Sequence, residues 1–212
     1  MTDTIDQPAP ATVPFDACIV TTDRLVLRPL TIDEAVAAHS DFALAKKVVK
    51  YLRWEVRDHD DEQSNGNATK RLVNSSRISN KGDGLAWAVE FKQADGSQGG
   101  EIGDVALFAK SIRNAQFEIG WVFHPAIHGR GLATEATAAV FDLAFEKMGA
   151  HRVYAELDAR NEASARLCGI HGMRQEALLK EREIVDGEWH DVAIYAITAE
   201  EWAARKAAAA SA

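Results

Sequence analysis

The sequence predicts a single α/β domain, and three observations support this. Its 212 residues are 47% apolar and 26% charged, a composition that supplies a large buried core. Several short segments alternate apolar and polar residues as strands do, and others repeat apolar residues every three or four positions as helices do. Neither a linker nor an internal repeat interrupts the chain between Leu25 and Ile197. We expect a mobile tail at 1–14, the domain at 15–198, and an Ala-rich helix and tail at 199–212.

The first part of the chain predicts a strand followed by helices. Pro29 ends the strand because it has no N–H for a ladder, and Thr31 with Glu34 forms a capping box that begins a helix. The acidic cluster 58–62 is either the solvated start of a helix or a rim that attracts amines. The predicted elements are a strand at 21–30, a helix from 31 to about 43, and a helical run at 68–78.

The rest of the chain predicts strands around two amphipathic helices. Glycine-rich turns at 95–100 and 186–187 are typical of hairpins, and Gly149 is a natural helix stop. Thr198 with Glu201 forms a capping box for the tail helix. The predicted strands are 85–92, 101–110, 117–123, 151–158, 175–184 and 189–197, and the predicted helices are 133–148 and 161–171.

A glycine-rich loop joins strand 117–123 to the helix that follows it. Pro125 ends the strand, and the loop supplies flexible residues where the backbone turns. A helix N-terminus presents unpaired N–H groups at the positive end of the helix dipole, so this loop predicts a phosphate site. Its spacing fits neither a P-loop nor a dinucleotide fingerprint. Gly120 marks either a bulge in the strand or a small residue beneath a bulky neighbour.

Three segments resemble the GNAT superfamily of N-acetyltransferases, in its RimJ/RimL-like branch. Residues 128–133 fit the pyrophosphate pattern Gln/Arg-x-x-Gly-x-Gly/Ala, although His128 departs from Gln or Arg. TDRLVLRPL resembles the opening strand of that branch, and 159–173 resembles the family's Asn-x-x-Ser/Ala helix. The resemblance covers Thr21 to Ile197. It implies a mixed, mostly antiparallel sheet that is flanked by helices and splayed at the cofactor site.

The resemblance also implies acetyl-CoA as the acyl donor. Its pantetheine arm would lie between strands 117–123 and 151–158 and pair with the backbone of Val122 and Phe123. Asn161 would bond the arm or serve only as a helix cap, and Arg130 would add charge or remain solvated. The residues that the resemblance places at the pyrophosphate are His128, Gly129, Arg130, Gly131, Leu132, Ala133 and Thr134.

Acetyl transfer to an amine needs a base and benefits from a proton donor. Glu118 matches a glutamate of related histone acetyltransferases and would act through a water, or it is an outward residue in a surface ion pair. Many family members have a Tyr where this chain has Cys168, so that role does not transfer. Ser164 is the candidate donor instead. Cys168 is interpreted as a buried small residue and not as a nucleophile.

Composition excludes several other classes of protein. The formal net charge of −8 argues against a protein that coats nucleic acid. An acidic surface suits a cationic partner or simply aids solubility. Two cysteines cannot form a disulfide framework, and no Cys/His cluster has zinc spacing, so we expect a reducing compartment and no metal. The absence of a signal sequence or apolar span predicts a cytoplasmic protein with no membrane partner.

The first functional hypothesis is an N-acetyltransferase that moves an acetyl group from acetyl-CoA to a protein N-terminus or a small amine by direct attack in a ternary complex. Two alternatives remain: a non-catalytic acyl-CoA sensor, and transfer of a larger acyl group. The tail helix after Ala199 packs on its own domain or on a second copy, so a homodimer is one possible assembly.

Overall fold

The structure, a computed structural model, describes residues 9–30, 76–93, 98–185 and 187–211. The predicted helix at 31–43, residues 68–75 of the helical run and the acidic cluster 58–62 lie outside these residues. The strands are β1 (Phe15–Asp16), β2 (Val20–Thr21), β3 (Leu25–Pro29), β4 (Arg77–Ile78), β5 (Gly84–Lys92), β6 (Gln98–Ser111), β7 (Gln116–Phe123), β8 (Arg152–Asp158), β9 (Arg174–Val185) and β10 (Glu188–Thr198). The helices are α1 (Leu132–Asp142), α2 (Glu162–Ile170) and α3 (Ala199–Ala210).

Eight strands form one sheet in the order β2-β3-β5-β6-β7-β8-β10-β9, and β1 pairs with β4 beside it. The pair β7–β8 is parallel, and the other pairs in this sheet are antiparallel. The mixed, mostly antiparallel sheet that the resemblance implied is therefore confirmed.

The parallel pair β7–β8 separates partway along its length. Pairing covers three positions, from Gln116 with Arg152 to Glu118 with Tyr154. β7 nevertheless continues to Phe123 and β8 to Asp158. The two strands thus diverge beyond Glu118, and the predicted splay of the sheet is confirmed. We call this gap the opening.

The sheet has two faces of different character, because successive side chains of a strand point to opposite sides. On the helix face, apolar residues pack beneath α1 in the main core; they include Leu25, Leu27, Trp87, Leu107, Phe117 and Ile119. The other, which we call the acidic face, carries Glu90, Asp104 and Glu118 together with Arg28 and Lys110.

Three details differ from the predictions. Arg77–Ile78 is a strand, so the end of the predicted helical run is wrong. Ala11 is buried and the amide of Thr12 donates to Met148 O at 2.8 Å, so ordered packing begins within the expected tail. Gly120 lies in an unbroken ladder with β6, so it marks no bulge.

The two long helical predictions are confirmed. A wider π-type turn at Leu143–Lys147 extends α1, and Gly149 stops it with a φ of +67°. The tail helix α3 begins with the predicted capping box. Trp202 of α3 is buried, and its Nε1 donates to Asp142 of α1 at 2.9 Å, so α3 packs on its own chain.

A buried histidine joins α1 to the end of α2. His171 Nε2 lies 2.6 Å from Thr137 Oγ1, and that hydroxyl donates to Ala133 O at 2.7 Å. The hydroxyl therefore accepts from Nε2–H, so this ring nitrogen carries a proton. Burial and the nearby charge of Arg205 lower the pKa of His171 to about 4.

We expect this histidine to make stability dependent on pH. Because its pKa is about 4 when folded and about 6.5 when unfolded, the unfolded chain takes up the proton first. The contribution of neutral His171 to the free energy of unfolding is therefore complete above pH 6.5 and is lost as the pH falls towards 4. His171→Gln keeps a donor but cannot titrate, so urea unfolding at pH 7.5 and 4.5 should show a smaller acid loss for the variant. Equal losses would contradict the assignment.

Candidate active site

The backbone of β7 offers hydrogen-bonding groups to the opening. In an antiparallel pair, successive residues face the partner strand and then the other side. The amide of His124 donates to Ile102 O on β6 at 2.9 Å, and Val122 lies two positions earlier in the same unbroken register. Val122 therefore bonds to β6 through both backbone groups. The residues whose backbone groups face the opening are Trp121 and Phe123. The expected backbone pairing with the pantetheine arm is therefore corrected for Val122 and retained as an expectation for Phe123.

The loop before α1 presents bare amides. Gly129 and Gly131 have φ values of +74° and +73°, a region that favours glycine. Gly131 is the N-cap of α1 and has no side chain to cap it. Among the described residues, no protein group accepts from the N–H groups of 129–134. The first amide of α1 that is bonded internally belongs to Glu135, which donates to Gly131 O at 3.0 Å.

Two side chains of the loop turn back onto the sheet. His128 Nε2 lies 3.3 Å from Phe123 O and donates to it, which ties the first loop residue to the end of β7. The guanidinium carbon of Arg130 lies 5.2 Å from the ring centroid of Phe91, a cation–π contact at the edge of the loop. His128 thus shapes the loop from the position where the family pattern has Gln or Arg.

A brace between distant parts of the chain holds the loop, and sequence reasoning missed it. Glu135 accepts from Thr22 Oγ1 at 2.6 Å and from the amide and Nε of Arg24 at 2.9 and 2.5 Å. Arg24 Nη1 also donates to Arg130 O at 3.1 Å. Burial alone would raise the pKa of Glu135, but the hydrogen bonds from Thr22 and Arg24 lower it. Arg24 therefore balances the negative charge of the ionised Glu135 carboxylate beside the expected phosphate site.

Asn161 and Ser164 lie together at the start of α2. Asn161 Oδ1 accepts from the Ser164 amide at 3.0 Å, so Asn161 is a helix cap whose Nδ2 group is not used in that bond. Ser164 Oγ accepts from Trp121 Nε1 at 3.3 Å across the opening. Because an indole only donates, the Ser164 hydroxyl hydrogen remains available for another acceptor.

Residues 24–174 match the model of a protein family described as "Acetyltransferase (GNAT) domain". The chain belongs to the GNAT acetyltransferase family. An uncharacterized N-acetyltransferase of Bacillus subtilis, YnaD, is 32% identical over 183 residues, which are 86% of this chain and 98% of that protein.

Two further GNAT proteins resemble the chain. The ribosomal protein uS5 alanine N-acetyltransferase of Escherichia coli is 27% identical over 187 residues, covering 86% of this chain and 92% of that one. RimL, an alpha-N-protein acetyltransferase of a ribosomal protein solved in complex with coenzyme A, has the same fold, with a TM-score of 0.69 at 18% identity over 85% of this chain and 98% of its own. The chain is thus a GNAT acyltransferase, and its resemblance to the RimJ/RimL-like branch is confirmed.

Glu118 lies at the inner end of the opening of this GNAT sheet. Its Oε2 is 2.6 Å from Lys110 Nζ, so the ion pair considered from the sequence is present. Tyr154 on β8 is its partner in the last pair before the strands separate, and the Arg152 guanidinium lies 4.9 Å from the Tyr154 ring centroid. Sequence reasoning did not single out Tyr154, because only the parallel register brings it to this point.

Cys168 lies in α2 and is fully buried, and burial raises the pKa of its thiol to about 12. Such a thiol is a poor nucleophile at neutral pH. We expect Cys168→Ala to leave kcat within about twofold while lowering stability by roughly 1 kcal/mol for the lost packing. Iodoacetamide should label native protein at the exposed Cys18 alone. Native labelling of Cys168, or loss of turnover in the variant, would contradict this.

Neither a metal site nor a membrane span was found in the described part of the GNAT chain. Within residues 9–30, 76–93, 98–185 and 187–211, no three His, Cys, Asp or Glu side chains are grouped so that they could hold a metal ion. No helix in those ranges is long and apolar enough to cross a bilayer.

Proposed function

We propose that this protein transfers an acetyl group from acetyl-CoA to a primary amine, either a protein N-terminus or a small-molecule amine. The observation that carries the proposal is the opening between β7 and β8 beside a helix N-terminus with bare amides. An acyl-CoA needs both features: hydrogen-bonding strand backbone for its peptide-like arm and convergent N–H groups for its diphosphate.

The described residues fit that ligand. The amides of 129–134 have no protein acceptor in the described part of the chain, and they sit at the positive end of α1. In this proposal they hold the diphosphate, while the outward backbone groups of Trp121 and Phe123 pair with the pantetheine arm. Asn161 Nδ2 adds a donor from α2.

The chemistry asked of the side chains is modest. An amine of pKa about 10 must lose a proton before it attacks, and a thiol leaving group of pKa about 8.5 needs little assistance. We assign Glu118 to begin proton removal through a water, and Ser164 to donate a hydrogen bond to the departing sulfur. Positioning both reactants in one complex supplies much of the remaining acceleration.

Two measurements test the proposal. A thermal shift with acetyl-CoA should show stabilisation of about 2.7 kcal/mol at a hundredfold excess over Kd. Initial rates with spermine, n-butylamine and a peptide that begins with alanine should then identify an acceptor, with the intersecting patterns of a ternary complex. Binding without turnover across a broad amine panel would favour a sensor instead, and a stable acetyl-enzyme would overturn direct attack. Preference for a longer acyl-CoA would support the larger-acyl alternative.

A further inference from the structure

Trp121 lies on the edge of the opening and presents two different groups there. It follows Glu118, the last residue of β7 that pairs with β8. Its backbone groups face the opening, because the backbone of the next residue, Val122, is bonded to β6. Its side chain leaves the strand at right angles to those groups, on the helix face, where it packs against the main core. A ligand arm in the opening and the indole therefore lie on different sides of this residue.

The indole connects β7 to the first turn of α2. Trp121 Nε1 donates to Ser164 Oγ at 3.3 Å, and both residues are partly buried. α2 lies on the helix face, because its capping residue His171 bonds to Thr137 of α1. The Ser164 amide donates to Asn161 Oδ1 at 3.0 Å, so the cap fixes the backbone from which the serine side chain extends. The bond from the indole thus joins the two sides of the opening.

The Ser164 hydroxyl hydrogen has no acceptor in the part of the chain that the structure describes. A helical serine commonly donates to the carbonyl four residues before it. For Ser164 that residue is Arg160, which precedes the Asn161 cap and lies outside the helix. Thr137, in the middle of α1, does donate in this way, to Ala133 O at 2.7 Å. The place of Ser164 in the first turn therefore leaves its hydrogen for a ligand.

The indole decides where that hydrogen points. Because an indole N–H only donates, it occupies a lone pair of Ser164 Oγ, and the hydroxyl hydrogen turns away from it. A hydroxyl that accepts one hydrogen bond also becomes a stronger donor through polarisation. Without Trp121 the hydroxyl would rotate among its staggered positions. A hydroxyl held in this way is oriented in advance to stabilise negative charge that develops in the opening.

We propose that Trp121 is a positioning residue for acetyl transfer, whose indole N–H directs the Ser164 hydroxyl at the thioester sulfur. The inference rests on the proposed function and deepens it by naming the group that orients the serine. As the amine nitrogen bonds to the thioester carbon, the C–S bond breaks and the electron pair leaves on sulfur. Ser164 donates a hydrogen bond to that thiolate and keeps its own proton. The nitrogen loses a proton to water and the thiolate takes one from solvent, so the products are an amide and a free thiol.

A double-mutant cycle separates positioning from packing, with any amine that the wild type acetylates. Ser164→Ala removes the hydroxyl, and Trp121→Phe keeps an aromatic ring but no donor. We expect kcat to fall about tenfold in Ser164→Ala, the effect of losing a hydrogen bond to a charged group, and about fivefold in Trp121→Phe. The KM for acetyl-CoA should change less than about twofold, because the bond is made in the transition state. The double variant should lose about tenfold, since Trp121 acts only through Ser164.

Trp202→Phe is the matched control for the loss of an indole donor. Trp202 Nε1 bonds to Asp142 at 2.9 Å, at the end of α1 that is far from the glycine-rich loop. This variant should lower stability and leave kcat unchanged. A loss of about fiftyfold in the double variant would show that Trp121 and Ser164 act independently, and it would overturn the inference. An unchanged kcat in Trp121→Phe, or a raised KM for acetyl-CoA with kcat unchanged, would overturn it too.

A spectroscopic measurement tests the same contact without an acceptor amine. In protein labelled with ¹⁵N-tryptophan, the Trp121 indole resonance is the one absent from Trp121→Phe. Ser164→Ala should move its proton shift upfield, because the N–H loses its acceptor. Coenzyme A and desulfo-coenzyme A, which lacks the sulfur atom, are then compared at pH 9, where a thiol of pKa about 8.5 is mostly ionised. The Trp121 resonance should lie further downfield with coenzyme A in wild type, and this difference should vanish in Ser164→Ala.

The outcomes of this comparison distinguish the inference from the proposed function. Equal shifts of the Trp121 resonance with the two compounds would overturn the inference, because the serine would then not sense the sulfur. A difference that persists in Ser164→Ala would overturn it as well. Failure of the wild type to bind coenzyme A at all would instead remove the proposed function itself.

Discussion

Gly131→Val is expected to raise the KM for acetyl-CoA by about 30-fold or more while the fold is retained. Gly131 has a φ of +73° at the N-cap of α1, and a β-branched residue in this region is strained by about 2 kcal/mol. The new Cβ would lie 3.6 Å from Arg24 Nη2, an ordinary contact, so the effect comes from the backbone. The loop relieves the strain by turning its amides away from the diphosphate. Steady-state kinetics with acetyl-CoA as the varied substrate measure this.

Gly187→Val is the matched control for that change. Gly187 has a φ of +80° before β10, and a Cβ there would meet no atom of the described residues within 4 Å. It should carry a similar backbone strain, and therefore a similar loss of stability, with no change in the KM for acetyl-CoA. If Gly131→Val lowered stability as Gly187→Val does and left KM unchanged, the loop would not be the diphosphate site.

Glu135→Ala is expected to lower the melting temperature by about 5–10 °C and also to raise the KM for acetyl-CoA. The change removes an acceptor of three hydrogen bonds and leaves Thr22 and Arg24 without their partner. A net loss of about 2–3 kcal/mol follows from bonds of this kind, and a chain of this size shifts by about 2–4 °C per kcal/mol. Arg24 then ceases to hold Arg130 O, so the loop loses its support.

Glu135→Gln separates charge from shape in this brace. The amide oxygen can still accept from Thr22, but it forms no ion pair with Arg24. We therefore expect Glu135→Gln to lower the melting temperature by about half as much as Glu135→Ala does. The hydrogen bonds that lower the pKa of Glu135 act while the carboxylate is ionised. The contribution of the Glu135 carboxylate to the free energy of unfolding is present above pH 4.5 and is lost as the pH falls through the lowered pKa. The melting difference between wild type and Glu135→Ala should thus narrow in acid, and a difference independent of pH would contradict the brace.

Local patterns were sufficient where structure depends on neighbours in sequence. The helix that follows the glycine-rich loop, its stop at Gly149 and the capping box at Thr198 are set by period, by a positive φ and by a side chain three residues away. These features depend on residues that are close together in the chain, so they can be predicted from the sequence without knowledge of the tertiary structure. The same holds for the alternating strands 85–92 and 117–123, whose period is visible without a partner.

Features that depend on register were predicted poorly. Val122 was expected to face the cofactor, yet the side to which its backbone bonds is decided by the pairing of β7 with β6. A bulge was one of two explanations that the sequence offered for Gly120, because a glycine alone does not report whether its ladder is broken. Tyr154 reaches the inner end of the opening only through its parallel pairing with Glu118.

The sequence by itself determined the order of most described elements, the glycine-rich loop before α1 and the family, because each rests on short-range periodicity or on a motif read from consecutive residues. Tertiary structure alone decided the brace between Arg24 and Glu135, which are 111 positions apart, and the contact between Trp121 and Ser164. The physical reason is that hydrogen bonds and carboxylate pKa values depend on distances of a few ångströms in space. Pairing across the sheet sets those distances, and separation along the chain does not.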